Sequence, residues 1–94
     1  MNEKFDFENE TLSIPYSKES TIERLSQLRW NNSSIGFDRD GNIDESKDNE
    51  SIYLQIWSHD ESLEYACKKH GSRIQLITDL VSDLETDGII EFVD

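Results

Sequence analysis

The chain has 94 residues and a mass of 11.0 kDa, and its 21 acidic residues against 9 basic ones give a formal net charge of −12. This length is typical of one domain, no apolar run is long enough to span a membrane, and the first six residues lack the basic and apolar regions of a signal peptide. A chain this acidic does not bind nucleic acid or an anionic membrane through its overall charge, because phosphates are bound by Lys and Arg.

Hydrophobic residues make up 34% of the chain, which is low for a folded domain. They are nevertheless grouped at regular spacings, and only one Pro interrupts them. We therefore expect a single acidic domain over residues 1–94 with a thin core, to which a homodimer would add buried surface. One cysteine cannot form an internal disulfide, which favours a reducing cytoplasm.

The N-terminal region is predicted to contribute little regular structure. In residues 1–10, Phe5 and Phe7 alternate with polar residues, which is typical either of a fraying tail or of an edge strand. Residues 11–16 alternate in the same way and then reach Pro15, so they form an edge strand at best.

The first helix is predicted from about residue 21 to residue 30. Ser20 and Glu23 match a capping box, in which Ser20 is the N-cap. Apolar residues then recur at helical spacing, namely Ile22, Leu25 and Leu28.

The middle of the chain is predicted to hold two strands separated by an acidic segment. Residues 35–37 begin a short strand, and residues 38–50 are typical of a turn and an acidic loop. Residues 51–58 are the clearest strand, with Ile52, Leu54 and Ile56 on one face and Tyr53, Gln55 and Trp57 on the other. Tyr53 and Trp57 are expected to cover a second surface or an interface.

Two further helices and a strand complete the prediction. Asp60 is expected to be the N-cap of a helix with Leu63, Ala66 and Cys67 on its buried stripe and Gly71 at its end. Ser72 and Gln75 match a second capping box, and the helix that follows has an apolar face formed by Ile74, Ile77, Leu80, Val81 and Leu84. Residues 89–93 form a closing strand after Gly88. This order predicts an α+β fold with a small, mostly antiparallel sheet and about three helices packed on one face.

Possible metal and catalytic motifs are weak. Residues 38–44 resemble a calcium loop, but aligning Gly41 with the invariant glycine puts Gly36 and Lys47 at ligand positions. Cys67 and His70 lie three residues apart, yet a zinc site needs about four ligands. Residues 58–60 contain the residue types of a triad, but triads assemble from distant segments. We expect no catalytic, metal-binding or cofactor-binding residue, and an enzyme is the weakest option.

The acidic residues follow a pattern. Asp79, Asp83 and Asp87 recur every four residues along the last helix, about 6 Å apart along its axis, and the segment from residue 79 to residue 94 has six acids and no base. Like charges at this spacing cost a few tenths of a kcal/mol per pair, and a chain that needed only solubility would intersperse Lys. The alternative interpretation is that these are the solvated faces of an acidic protein.

The acids fall into three groups. We predict as partner-binding residues the C-terminal group Asp79, Asp83, Asp87 and Glu91, the loop group Asp38, Asp40, Asp44, Glu45, Asp48 and Glu50, and the helix-start group Asp60, Glu61 and Glu64.

A surface of this kind can occupy the Lys- and Arg-lined groove of a DNA-binding protein. In size, charge and lack of catalytic residues, the chain resembles the DNA-mimic inhibitors carried by phages, and among them the small Arn-like anti-restriction type of T4-type phages. The resemblance covers the general character of the whole chain and assigns no role to single residues. It implies a phage origin, a bacterial host cytoplasm, a restriction endonuclease as the target, and a dimer whose acids line up along a duplex-like axis.

Two further classes stay open. One is an immunity protein that neutralises a basic nuclease toxin, in which Trp30, Tyr53 and Trp57 would be anchors within the charged field. The other is an acidic regulator that binds a polymerase or another host factor.

Overall fold

The protein is described here by a computed structural model that covers residues 11–48 and 50–93. The predictions for residues 1–10 lie outside the described residues. The fold is α+β, as predicted, and its elements in chain order are β1 (Leu12–Ile14), α1 (Lys18–Ser26), β2 (Ser34–Phe37), β3 (Ile43–Ser46), β4 (Leu54–Trp57), α2 (Leu63–His70), α3 (Arg73–Thr86) and β5 (Ile90–Phe92).

The strands form two sheets, so the prediction of one mostly antiparallel sheet is wrong. An antiparallel sheet has the order β3-β2-β4, and a separate ribbon pairs β1 with β5 in parallel, with Leu12 opposite Ile90. A parallel pair needs a long connection, which is provided here by all the elements between the two strands. The hydrophobic pattern identifies both strands but does not say which strand lies beside which.

Strand β3 lies inside the segment that was predicted to be an acidic loop. Its backbone pairs with β2, with Asp44 opposite Gly36 and Ile43 opposite Phe37, and Ile43 packs against the core. Charged residues are common on such an edge strand, because they prevent pairing with further chains. The turn predicted for the start of this segment is confirmed, since the chain reverses between β2 and β3.

Helix α1 begins and ends earlier than predicted. Its N-cap is Ser17, whose Oγ accepts a hydrogen bond from the backbone N–H of Ser20 at 3.1 Å, so Ser20 is not the cap. The helix ends at Ser26, well before residue 30. Beyond the helix, the indole Nε1 of Trp30 donates to the carbonyl of Leu25 at 2.8 Å, as a second donor beside the backbone N–H of Leu28.

Of the N-cap predictions for the other two helices, the one for α2 is wrong and the one for α3 is confirmed. The N-cap of α2 is Ser62, which accepts from the N–H of Tyr65, and not Asp60. The N-cap of α3 is Ser72, as predicted, and its Oγ accepts from the N–H of Gln75. Gly71 ends α2 in a left-handed conformation, with φ of 104°.

One cluster of buried residues fills the space between the sheets and the helices, and α3 contacts both α1 and α2. Ile74 was predicted on the apolar face of α3 but is half exposed, whereas Leu76 is buried. The core consists of Leu12, Ile14, Leu25, Trp30, Ile35, Phe37, Leu54, Trp57, Leu76, Ile77, Val81 and Ile90.

The two tryptophans are part of this core. Their ring centroids are 5.4 Å apart, and Trp30 and Trp57 are only 1% and 5% exposed. The predicted facing of Trp57 is therefore wrong. A register shift in the β2–β4 pairing, between Ile35 and Gly36, breaks the simple alternation of β4, so that Leu54 and Trp57 are both buried.

None of the helices in the described part of the chain combines the length and the apolar character that crossing a membrane requires.

Candidate functional site

The predicted partner-binding acids all lie outside the core. Ten of the thirteen are exposed, and the other three, Asp38, Asp44 and Asp79, are half buried. They differ in how much of each carboxylate is already used inside the protein. That difference separates acids that shape the fold from acids that are open to a partner.

Asp79, Asp83 and Asp87 form an acidic ridge along α3 and its C-cap, and the three carboxylates differ in their contacts. Asp79 Oδ2 lies 2.7 Å from Nδ1 of His70, and Asp79 Oδ1 accepts from Nε2 of Gln75 at 2.8 Å. The hydrogen bond with His70, followed by the one from Gln75, holds the pKa of the Asp79 carboxyl below its usual range. Asp83 and Asp87 are exposed and form no side-chain hydrogen bond or ion pair with the described residues.

The other C-terminal acids are partly occupied. Glu85 forms an ion pair with Lys18 at 3.0 Å, which links α3 to the start of α1. Glu91 accepts a hydrogen bond from the hydroxyl of Ser13 across the β1–β5 ribbon at 2.9 Å. Among the described acids of this region, Asp83 and Asp87 are therefore the ones whose carboxylates stay open.

The turn between β2 and β3 brings the first loop acids close to this region. Asp38 Oδ1 accepts from the backbone N–H groups of Asp40 and Asn42, at 2.9 Å each, and so shapes the turn. Gly41 has φ of +84°, and a Cβ built there would lie 2.1 Å from the carbonyl oxygen of Ser13. The turn thus packs on β1 at the residue that bonds Glu91.

The acids of β3 and of the chain after it are partly structural. Asp44 accepts from the N–H of Glu45 at 2.8 Å. Asp48 accepts from the Ser46 hydroxyl at 2.6 Å and from the N–H of Glu50, and these bonds, led by the one from Ser46, lower the pKa of the Asp48 carboxyl. The side chains of Glu45 and Glu50 are exposed and form no contact of this kind within the described ranges.

The helix-start acids lie at the end of α2 opposite to His70. Asp60 Oδ1 is 3.3 Å from Nε2 of His59, and Glu64 is 3.9 Å from the ammonium group of Lys68. Glu61 lines a groove of about 430 Å³ between α2, α3 and the end of β4. These acids are therefore separated from the Asp79 end of the ridge by the length of α2.

The same groove carries a residue that the sequence analysis did not single out. Tyr65 on α2 lies at its rim and is 69% exposed. Its position off the predicted stripe of Leu63, Ala66 and Cys67 was the available signal, because a large residue off the buried stripe must face solvent or a partner.

The triad residue types do meet in space, but in a different combination. Ser34 Oγ lies 3.1 Å from Nδ1 of His59 and also accepts the backbone N–H of His59, while Nε2 of His59 faces Asp60. Ser34 is 0% exposed, so its hydroxyl is closed to a substrate. The contacts hold the end of β4 against β2.

Metal ligands are not grouped in the described ranges. His, Cys, Asp and Glu side chains there do not form a set of three or more that could hold a metal ion. Cys67 is a half-buried free thiol that packs against the core, and His70 is paired with Asp79.

Comparison of the chain with family models, with curated proteins and with solved structures finds no match in any of the three. The chain is therefore assigned to no family by similarity, and its function has to be argued from the open acids and the groove.

Proposed function

We propose that the chain is an acidic DNA-mimic inhibitor that occupies the DNA-binding groove of a basic protein, most directly a restriction endonuclease in the cytoplasm of a bacterial host. The observation that carries the proposal is the open pair of Asp83 on α3 and Asp87 at the C-cap of this helix, whose carboxylates have no partner in the described chain. Their segment contains no base to neutralise them.

The surface around this pair is suited to that role. Thr86, which lies three residues from Asp83 on the helix surface, is exposed and uncharged. Successive acids advance about 6 Å along the helix, on the scale of the phosphate spacing along one DNA strand. Such a surface displaces counterions from a basic groove as a phosphate backbone does, and it steers association electrostatically.

The folded contacts narrow the set of residues expected to bind the target. Asp79, Asp38 and Asp48 each hold hydrogen bonds inside the protein, so they contribute mainly to the fold. We expect the strongest contributions from Asp83 and Asp87. Asp40, which is exposed in the turn that packs on β1, and Glu91, which is exposed although Ser13 donates to it, extend the acidic surface.

The test has two stages. The immobilised chain is incubated with bacterial lysate at low salt, and the retained proteins are eluted with duplex DNA. Each eluted DNA-binding protein is then purified and bound to labelled duplex, and the chain is added as a competitor. A mimic displaces the duplex, and its apparent affinity falls as salt rises.

The variant Asp83→Asn/Asp87→Asn tests the proposed surface, and Glu19→Gln/Glu23→Gln on exposed positions of α1 matches it in net charge. We expect the α3 variant to compete roughly tenfold less well, from about 0.7 kcal/mol per carboxylate, and the α1 variant to compete as the natural chain does. Retained proteins that saturating duplex DNA leaves undisturbed, or equal competition by both variants, would refute the proposal.

One observation favours a second candidate, an immunity protein that neutralises a basic nuclease toxin. Trp30 and Trp57 lie in the core and are not available as anchors. Tyr65, however, is an exposed aromatic residue beside Glu61 and Glu64, which is the arrangement of a hot spot within a charged field. In the same retention step, a lysate protein that the immobilised Tyr65→Ser variant no longer retains, but that Asp83→Asn/Asp87→Asn still retains, would select this candidate.

A further inference from the structure

Helix α2 has an uncovered face. None of its residues is buried, although it packs on α3. The groove of about 430 Å³ beside it has an apolar floor that includes Ile56, Trp57 and Leu80, and Tyr65 stands exposed at its rim. An exposed aromatic side chain next to a groove that apolar side chains line in part is typical of an interaction surface.

The charges around this groove are nearly balanced, unlike those of the rest of the chain. Glu61 lines it at the N-terminal end of α2 and Lys69 at the C-terminal end, with Tyr65 halfway between them. The neighbouring exposed charges, Glu64 and Lys68, also cancel, and Asp60, 3.3 Å from Nε2 of His59, is left as an extra carboxylate at the N-terminal end. A copy of a chain with net charge −12 is repelled by most of this protein's surface, but much less by this face.

The order of these charges makes the face complementary to itself. If two α2 helices lie antiparallel across a two-fold axis near Tyr65, Glu61 of each copy faces Lys69 of the other. A two-fold interface always pairs a residue in this reciprocal way. Because the axis passes near Tyr65, which stands at the rim of its own groove, the tyrosine of one copy meets the groove of the other.

We propose that this face binds a second copy of the chain and that the protein forms an antiparallel α2–α2 dimer, held by Tyr65 in the partner groove and by two reciprocal Glu61–Lys69 pairs. Exposed ion pairs contribute little affinity, so the pairs set the orientation and the apolar contact supplies most of the binding. The proposal does not depend on the inhibitor function, since α3 carries the acids argued for that role.

Sedimentation equilibrium of the full chain tests the proposal. We expect the mass to rise with concentration from 11.0 kDa towards twice that value. Tyr65→Ser removes the central contact and should leave a monomer whose circular dichroism is unchanged, because the side chain is mostly exposed.

Charge reversal tests the orientation. Glu61→Lys and Lys69→Glu change the net charge in opposite directions, yet each should weaken the dimer at least tenfold, because each creates two like-charged contacts. The double variant Glu61→Lys/Lys69→Glu restores the pairs in exchanged positions and should recover the dimer. Glu23→Lys on α1 is the matched control and should dimerise as well as the natural chain.

A chain that stays at 11.0 kDa at every concentration overturns the proposal. So does a dimer that persists in Tyr65→Ser and in both single charge reversals, since its interface would then lie elsewhere. Failure of the double variant to recover the dimer would overturn the antiparallel arrangement.

Discussion

At the residue scale, the two tryptophans that pack together in the core differ in whether the indole N–H has a hydrogen-bond partner. Trp30 has a positive φ of 69°, which is unusual for a bulky residue, and it is held there by packing and by the hydrogen bond from its indole to Leu25. The indole Nε1 of Trp57 is equally buried but has no hydrogen-bond partner in the described chain. A buried donor without a partner costs free energy, whereas a bonded one contributes it.

We therefore predict unequal effects of the same substitution at the two positions. Trp30→Phe removes a bonded donor and leaves the Leu25 carbonyl without its indole partner, while Trp57→Phe removes a donor that has no partner. Both variants lose packing, but Trp30→Phe should lower the free energy of unfolding by about 1–3 kcal/mol more than Trp57→Phe. Urea unfolding of the two variants measures the difference, and equal losses would contradict the assignment.

At the scale of elements, the pair of His70 and Asp79 joins the end of α2 to the first half of α3. Together with the packing of Cys67 against the core, it holds the C-terminal end of α2, a helix without a buried residue, in place. Asp83, one turn further along α3, is exposed and has no such contact. The two aspartates therefore form a matched pair in the same helix.

We predict that Asp79→Asn lowers the urea midpoint and that Asp83→Asn leaves it unchanged or slightly higher, because the second substitution only relieves repulsion from its neighbours on the ridge. The pKa of Asp79 is lowered in the folded protein, so its stabilisation is complete above the unfolded value of about 4 and is lost as the pH falls through the lowered pKa. The difference between the natural chain and Asp79→Asn should thus be largest above about pH 4 and narrow below it. A loss at neutral pH in Asp83→Asn that equals the loss in Asp79→Asn would show that the His70 contact is not the cause.

Local signals in the sequence predicted local structure in part, since the caps of α1 and α2 are Ser17 and Ser62 and not Ser20 and Asp60. Ser72 as a cap, Gly71 as a helix end and the last strand depend on a few adjacent residues, and all three were predicted. Strand β3 was missed because its pairing with β2 is made by backbone groups, which the acidic side chains of Asp44 and Glu45 do not reveal.

In the candidate site, the exposure of the acids could be predicted from the sequence, but their contacts with other elements could not. Exposure of the acids follows from their charge, so it was expected. The occupied state of Asp79 was not, because it depends on the turn at Gly71 folding α2 back so that His70 reaches α3.

At the scale of the whole molecule, the excess of negative charge opposes folding as well as self-association. The open acids, including Asp83, Asp87, Glu45 and Glu50, all lie on the surface of a domain whose net charge is −12. Self-repulsion of this kind acts over distances comparable with the Debye length, so dissolved salt weakens it.

We predict that the folded chain becomes more stable as NaCl is raised from about 10 to 500 mM. A gain of about 1 kcal/mol would raise the thermal midpoint by roughly 4–8 °C for a domain of this length. The variant Glu19→Lys/Glu23→Lys leaves a net charge of −8 and should respond less. Calorimetry at pH 7 measures both, and a midpoint that falls with salt would mean that attractive ion pairs, such as Lys18–Glu85, outweigh the repulsion.

The ribbon of β1 and β5 also sets an order of events in folding. Ser13 and Glu91, which are hydrogen-bonded across it, are 78 residues apart in the chain. The sheet of β2, β3 and β4 and the α2–α3 pair close much shorter loops, so their loop-closure entropy is smaller and they can form first. Because Leu12, Ile14 and Ile90 belong to the core, the core stays open on one side until the two distant strands meet. The two ends of the described chain therefore close the core, and separation of β1 from β5 exposes its buried residues to water.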